Sequence, residues 1–484
     1  MRFPLMVKQR FLTFLLICML YSFPSIAGIA DSVSYNISNT STLSDGKFAP
    51  YWLQTNRAGT IAAQPYSNTL RMGISKEINN HKKLSFGYGL NLLYQAAPSH
   101  SKAYIHECYT EGRLGFFNLF VGAKEQSFGN QFEPLSSGGF IFSGNTRPIP
   151  MAMLYMPNYT AIPYTYGLIE IKGTIQYANL YNDRTEVKNT LLHYKNAFIR
   201  LGGKLPIRIN FGLHHAAQWG GESPTFGKLG TSLKDFYEIV LIKSGGTNDP
   251  IYDQINKKGN HIISQNLGID IRFFSFTFNT YWQNINEDPP VNLLVKEFKF
   301  NFPNRPDMLL GFSLSNPKIP FVQNILFEYF NSTDQSGPYH DKDGIIYGGN
   351  DSYFQNWLYP QGYTYFGRTI GTPLITSPLM NYNGNTSGIQ NNRVKAYHFG
   401  LRGAFKQISY KFLKTHSKNY GSNPVNVTNI NNYMVNDSYY AEVSSSIKKY
   451  PGIQIMSAIG FDQGKLFGNS FGFQLGIKYT GFFK

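Results

Sequence analysis

The chain has 484 residues, of which 15% are charged and 16% are aromatic, and its formal net charge is +16. Soluble domains average about 25% charged residues, so this composition argues against a string of soluble domains, and the aromatic content argues against disorder. After residue 27 no stretch approaches the ~18 consecutive apolar residues of a membrane-crossing helix. A large β protein is the class that remains.

Residues 1–27 are predicted to be a secretory signal peptide. A basic start and an apolar core precede the small residues Ser25-Ile26-Ala27, which suit a cleavage site. A lipoprotein signal ending at Cys18 is the alternative, but bulky Ile17 stands where a small residue is expected. Beyond this segment Cys108 is the only cysteine, so an exported chain gains no internal disulfide.

Alternation of apolar and polar residues with a period of two is the dominant pattern from residue 70 onward. Leu84, Phe86 and Tyr88, for example, alternate with Ser85 and Gly87. This period places successive side chains on opposite faces of a strand. The same contrast recurs at 207–214, 274–282, 324–329, 408–412 and 471–483. The apolar faces often run about 9–11 residues with aromatic residues near their ends, as in membrane-crossing strands.

The pattern predicts an all-β fold, a transmembrane antiparallel β-barrel of the bacterial outer membrane with about 18 strands. A β-sandwich also alternates, but it has no reason to carry aromatic girdles, and a closed barrel is the only sheet that hydrocarbon tolerates. We expect residues 28–69 to form a periplasmic lead-in and plug segment and residues 70–484 to form the barrel.

Three long segments, 144–163, 218–261 and 332–392, are rich in Gly, Pro, Asn and Tyr and are predicted to be extracellular loops or lumen plugs. One helix is expected among them. Ser232 and Asp235 resemble a capping pair, and an apolar stripe follows them before Gly245 and Gly246.

The positive charge favours an acidic partner. Nucleic acid is excluded for an exported chain without a dense Lys/Arg stripe, which leaves lipopolysaccharide phosphates and acidic polysaccharides as the anions of the cell envelope. A generally basic, solvated surface is the alternative explanation. Lipids of the outer membrane are expected to contact the apolar strand faces.

An outer-membrane hydrolase is the enzymatic alternative, and it would need a nucleophile and a base held together. His214 and His215 are the best candidates for the base, but adjacent strand residues point to opposite faces, so at most one reaches the lumen. No nucleophile-elbow motif accompanies them. The sequence therefore predicts a protein that is not an enzyme, with no metal site and no cofactor.

Four blocks of the chain carry a resemblance to a known family. They are Tyr51-Trp52-Leu53-Gln54-Thr55-Asn56, the run from Gly139 through Asn145 to Pro150, the run from Lys195 through His214 to Trp219-Gly220-Gly221, and the run from Asn350 through Tyr365-Phe366-Gly367-Arg368 to Pro373.

With these blocks the chain resembles the Wzi family of outer-membrane capsule-assembly proteins. The resemblance implies an 18-stranded barrel that acts as a lectin and holds capsular polysaccharide at the cell surface. Relatives from enteric bacteria carry a periplasmic helical bundle near the N-terminus, which residues 31–46 do not match. A porin-like channel for small solutes or oligosaccharides remains the alternative function.

The loop 347–371 is predicted to bind the polysaccharide. Flat aromatic rings can stack on the apolar face of a sugar, and an Arg can grip a uronate carboxylate with two parallel hydrogen bonds. Packing of the long loops, or an aromatic belt at the membrane interface, is the alternative role for the same rings. The predicted contacts are Trp357, Tyr359, Tyr363, Tyr365 and Arg368.

Overall fold

The structure is a computed structural model. It describes residues 33–287 except 80, 99, 130, 132–133, 182–185, 248 and 256, then 307–335, 340–342, 345–347, 349, 351–422 except 382, 383 and 385, and finally 431–483. The predicted signal peptide lies outside the described residues.

Eighteen antiparallel strands form one closed sheet, which confirms the predicted all-β barrel and its strand number. In chain order they are β1 Val33–Ser44, β2 Tyr66–Lys76, β3 Leu84–Ala97, β4 His100–Leu114, β5 Phe117–Ala123, β6 Met151–Tyr155 with its continuation Thr160–Ala161, β7 Ile169–Asn179, β8 Leu191–Leu201, β9 Ile207–Trp219, β10 Asn260–Phe273, β11 Phe276–Asn284 with its continuation Asn286–Glu287, β12 Met308–Ser315, β13 Asn324–Asn331, β14 Val394–Phe405, β15 Ile408–Asn419, β16 Met434–Ile447, β17 Tyr450–Gly464 and β18 Ser470–Phe482. Strand β1 pairs with both β2 and β18, so the sheet has no free edge.

The barrel begins earlier than predicted. Residues 33–44, expected to be part of a periplasmic lead-in, are the strand that closes the sheet. The prediction fails here because polar residues interrupt the apolar face of this strand. Asn39 exchanges side-chain hydrogen bonds of 3.0 Å with Asn68 on β2, and Asn68 also donates to Ser41 at 2.8 Å. Because these polar side chains form hydrogen bonds with one another across the two strands, they can stand on the outward face, and the alternation of apolar and polar residues on which the prediction relied is lost.

Elsewhere the two faces follow the predicted alternation. On β18 the outward Phe471, Leu475 and Ile477 are exposed, whereas the inward Gln474 is buried. The inward Glu328 on β13 is equally buried. The exposed face is apolar and the buried face is polar, which is the inverse of a soluble sheet and the arrangement of a barrel in lipid.

The described parts of the long connections lie at the end of the barrel opposite Val33 and Phe482. These connections are 45–65, 124–150, 180–190, 220–259, 332–393 and 420–433. The turns at the other end are short, as at 406–407 and 448–449. Since outer-membrane barrels have short periplasmic turns, the long connections mark the extracellular end.

Two of these connections, 45–65 and 124–150, and the 351–393 part of a third fold into the lumen, and we call their described residues together the plug. Its contacts reach strands around the wall. Trp52 donates its indole N–H to the Thr415 hydroxyl on β15 at 2.9 Å. Ser137 donates its backbone N–H to Glu328 on β13 at 2.7 Å. Gln218 on β9 donates to the Gly362 carbonyl at 3.1 Å, so the predicted plugging of the lumen is confirmed for the described part of 351–392.

The remaining elements are short, and no helix among the described residues is long and apolar enough to span a membrane. They are helix α1 Tyr51–Gln54, helix α2 Leu233–Val240, helix α3 Ile251–Ile255, the 3₁₀ helix Pro378–Met380, and the hairpins Gly221–Ser223 with Gly227–Leu229, His340–Lys342 with Ile345–Tyr347, and Thr364–Tyr365 with Arg368–Thr369. Helix α2 confirms the helix predicted from Ser232 and Asp235, which form a capping box.

Two neighbouring residues on β16 test the strand register. Val443 is 48% exposed on the lipid face, and Ser444 faces the lumen, where its hydroxyl lies 2.8 Å from that of Ser409. We expect Val443→Arg to lower the free energy of unfolding in vesicles by up to about 2–4 kcal/mol, because a cation that faces lipid loses its hydration, and Ser444→Arg to change it far less. Equal losses in urea titrations of the two variants would contradict the register.

Candidate functional site

The sequence blocks that carry the family resemblance come together inside the barrel. Three of the four lie in the plug, and the fourth forms the wall beside it. Asn145 donates its amide N–H to the Thr369 hydroxyl at 3.0 Å, and Gln218 on β9 donates to the Gly362 carbonyl at 3.1 Å. The blocks therefore specify how the plug is held in the wall.

Arg368 is the central connection within the plug. Its guanidinium donates to the backbone carbonyls of Gln54 at 3.3 Å and Ile61 at 2.7 Å. Burial of the side chain lowers the pKa of Arg368 to about 10. The guanidinium that was predicted to bind a uronate instead connects the 364–369 hairpin to the 45–65 segment, which contains α1.

Three predicted aromatic contacts are also packed inside the molecule. Tyr359, Tyr363 and Tyr365 are at most 3% exposed. Tyr359 donates its hydroxyl to the Gly220 carbonyl at 3.2 Å, and the Tyr363 ring lies 5.3 Å from the ring of Phe354. A loop that fills a lumen turns its large side chains toward the wall, so these rings, like Arg368, have no surface to offer a polymer in this conformation.

Trp357 is the predicted contact that does reach the surface. It is 42% exposed at the extracellular end, and its ring meets that of Phe226 edge to face, with centroids 5.3 Å apart. Phe226 is 43% exposed at the tip of the 221–229 hairpin, where the exposed Lys228 follows it. We call Phe226, Lys228 and Trp357 the rim surface.

Buried residues beneath the rim surface hold its two rings in place. Val187, Leu229, Leu358 and Tyr359 form a small apolar cluster that joins the hairpin to the plug. Phe226 is not among the contacts predicted from the sequence. The available signal was an aromatic residue between Pro224 and Gly227 in a long loop, a position where a turn exposes its side chain.

A polar cavity of about 410 Å³ lies between the plug and the wall near β2. Its charged lining residues are Arg57, Arg71, Lys124, Glu125 and Arg147. A second cavity of about 270 Å³ reaches toward the periplasmic end and shares three of them, Arg71, Lys124 and Glu125. Arg71 is ion-paired with Glu125 at 2.8 Å, so this pair lies where the two cavities meet.

The two histidines that were candidate bases point to opposite faces of β9, as predicted. The hydroxyl of Tyr194 lies 2.5 Å from Nδ1 of the inward His214, and Nε2 of the outward His215 lies 2.8 Å from Nδ1 of His261. Both rings therefore serve in hydrogen bonds within the protein. No group of three or more His, Cys, Asp or Glu side chains in the described part of the chain has the arrangement of a metal site.

Comparisons with known proteins connect this architecture to a family. A family model described as capsule assembly protein Wzi matches residues 39–375. The comparison with curated proteins gave no match.

Among solved structures, the fold is similar to that of Wzi from Escherichia coli, described as a carbohydrate-binding β-barrel of the outer membrane involved in group 1 capsule assembly. The identity is 13% and the TM-score 0.59, over 93% of this chain and 85% of that one. OccK2 of Pseudomonas aeruginosa, solved with glucuronate, gives 8% identity and a TM-score of 0.48 over 93% of this chain and 97% of that one. At 13% identity the likeness to Wzi shows the fold alone.

A buried carboxyl group at the edge of the plug makes its stability depend on pH. Asp307 precedes β12 and accepts hydrogen bonds from the Tyr353 hydroxyl and the Asp334 backbone N–H, both at 2.9 Å. Burial raises the pKa of Asp307 to about 7, so the folded state holds this proton more tightly than the unfolded state. The resulting stabilisation is complete below the ordinary pKa of 3.8 and is lost as the pH rises through about 7.

We therefore expect the 351–393 segment to be more stable at pH 5 than at pH 8, by an amount on the order of 2 kcal/mol. Hydrogen exchange of its backbone amides, corrected for the intrinsic effect of pH, measures the difference. Asp307→Asn should remove the pH dependence because an amide does not titrate. A pH dependence that survives this substitution would assign the effect to another group.

Proposed function

Since the chain belongs to the Wzi family of capsule assembly proteins, we propose that it is a lectin-like barrel that anchors capsular polysaccharide at the cell surface. The closed barrel lies in the bacterial outer membrane and takes part in capsule assembly. The rim surface carries the anchoring proposal, because it presents two exposed aromatic rings to the outside of the cell on top of a filled lumen.

The chemistry of the rim surface suits a sugar polymer. A pyranose ring has an apolar C–H face that stacks on an aromatic ring, and its hydroxyl rim needs polar partners. Trp357 and Phe226 stand at 90° to each other, so they can contact two faces of a bent chain rather than one. The exposed Lys228 and its cross-strand partner Glu222 add polar groups that can bind the hydroxyls of the polymer.

The filled lumen supports binding rather than passage as the main activity. Plug residues bond to inward side chains on well-separated strands, as Trp52 does with β15 and Phe140 does with Gln283 on β11. The proposal involves no catalytic step, and His214 keeps its place in the wall through its contact with Tyr194.

A channel for small solutes is the second candidate function. The two polar cavities favour it, because together they run from β2 toward the periplasmic end. For a solute to cross, the ion pair between Arg71 and Glu125 and part of the plug would have to open.

The rim surface is tested by removing its two rings. In cells that lack the native gene, we expect Trp357→Ala combined with Phe226→Ala to shift polysaccharide from the cell surface into the medium several-fold, because stacking is worth about 1 kcal/mol or more per ring. Tyr164→Ala is the matched control, since Tyr164 is 99% exposed but lies at the periplasmic end. Heat-modified gel mobility checks folding. Capsule that stays attached to the double variant would place the binding site elsewhere.

Planar-bilayer recording distinguishes the two functions. We expect the native protein to conduct weakly and Arg368→Ala to conduct more, because that change leaves the carbonyls of Gln54 and Ile61 buried without their donor and loosens the plug. Unsatisfied groups of this kind cost about 1–3 kcal/mol each. Large and stable conductance in the native protein would favour the channel.

A further inference from the structure

One long connection folds down the outside of the barrel instead of into the lumen. Helix α2 lies against the outer wall, and we call residues 231–258 apart from 248 and 256, which contain α2 and α3, the flap. Phe236 on α2 packs its ring 5.4 Å from the ring of His193 and 5.7 Å from that of Trp219. Both partners lie on the lipid-facing side of the wall, in the same alternation as Ile199 on β8 and Ile207 on β9.

Polar contacts hold the flap in a defined conformation. Lys258 forms ion pairs with Asp235, with Glu238 at 3.1 Å and with Asp249 at 3.0 Å, and thereby connects α2 to the segment before α3. Lys195 on β8 donates to the Val240 carbonyl at the end of α2. The flap is thus fastened both to itself and to the wall.

The outer face of the flap is apolar, although most of it meets no other part of the protein that the structure describes. From α2 into Leu241, which follows it directly, the exposed apolar side chains recur every four residues, which places them on one side of the helix. The exposed apolar residues are Leu233 at 88%, Tyr237 at 56%, Leu241 at 37%, Ile251 at 58% and Ile255 at 69%. Lys234 is exposed beside them, and Lys243 lies with its ammonium 4.9 Å from the Tyr237 ring.

We propose that the outer face of the flap docks on the surface of the outer leaflet of the membrane. Its apolar side chains enter the boundary of the acyl chains, and its lysines meet anionic headgroups. This combination of an apolar stripe with flanking cations characterises helices that lie in a membrane interface.

Continuity with the lipid-facing wall identifies the occupant. On β9, whose extracellular end leads into the flap, the outward Ile207, Ile209, Phe211 and Leu213 are exposed or partly exposed, and this apolar row leads to Trp219, against which Phe236 of the flap packs. The apolar surface therefore continues from the strands onto the flap. This docking does not depend on polysaccharide binding, so the two proposals stand or fall separately.

Spin-label accessibility tests the proposal in the full-length protein. Cys108→Ser removes the one cysteine beyond the predicted signal peptide, and single labels are then placed with Leu233→Cys and Ile255→Cys. Ile199→Cys supplies the lipid-facing reference and Tyr164→Cys the aqueous one. Collision rates with oxygen and with a water-soluble nickel complex are measured in vesicles of phosphatidylethanolamine and phosphatidylglycerol, after heat-modified mobility has confirmed folding.

The two flap labels should match Ile199→Cys, with an oxygen-to-nickel ratio several-fold above that of Tyr164→Cys. Lys234→Gln combined with Lys243→Gln should lower the ratio in these vesicles and leave it unchanged in phosphatidylcholine vesicles, because only the former carry anionic headgroups. Ratios equal to that of Tyr164→Cys would overturn the proposal. Dipolar broadening between labels would also overturn it, since a second copy of the chain would then cover the flap.

Discussion

The width of the lumen is the constraint on which the rest of the structure depends. A barrel of 18 strands encloses more space than its own inward side chains can fill. Polar wall residues therefore need partners supplied by the plug. Glu328 is 1% exposed, and its carboxylate accepts hydrogen bonds from the Ser136 hydroxyl at 2.6 Å and the Ser137 N–H at 2.7 Å. A buried carboxylate without such donors would destabilise the fold. The inward residues of the wall and the residues of the plug therefore have to match each other.

The sequence pattern predicted the elements whose residues are selected by local contacts. The alternation on β18 and the capping pair of α2 are of this kind, because lipid on one side and a local hydrogen bond are enough to select those residues. Strand β1 escaped prediction because Asn39 finds its partner, Asn68, on the neighbouring strand. No pattern within residues 33–44 can report a hydrogen bond to a residue outside them.

Contacts between distant segments also explain why most of the predicted sugar contacts are buried. An aromatic residue in a Gly- and Asn-rich loop has the same sequence signature whether it faces solvent or a wall, and only contacts between distant segments decide. Arg368 is buried because Gln54, more than 300 positions away, presents a carbonyl to it. Trp357, eleven positions before Arg368, stays exposed because it sits at the extracellular edge beside Phe226. The blocks behind the family resemblance therefore mark the packing of the plug more than the binding surface.

The hairpin at 221–229 connects the two proposed interaction surfaces. On its plug side, Tyr359 donates a hydrogen bond to the Gly220 carbonyl at the base of the hairpin, and on the other side Gly230 leads directly into the flap packed on the wall. The tip residue Phe226 is therefore fixed from two directions. A preorganised ring loses little conformational entropy when a ligand stacks on it, so more of the contact energy remains as affinity. The rim surface offers only a few exposed rings, so its rigidity has to compensate for a small contact area. The packing of the plug in the lumen supplies this rigidity.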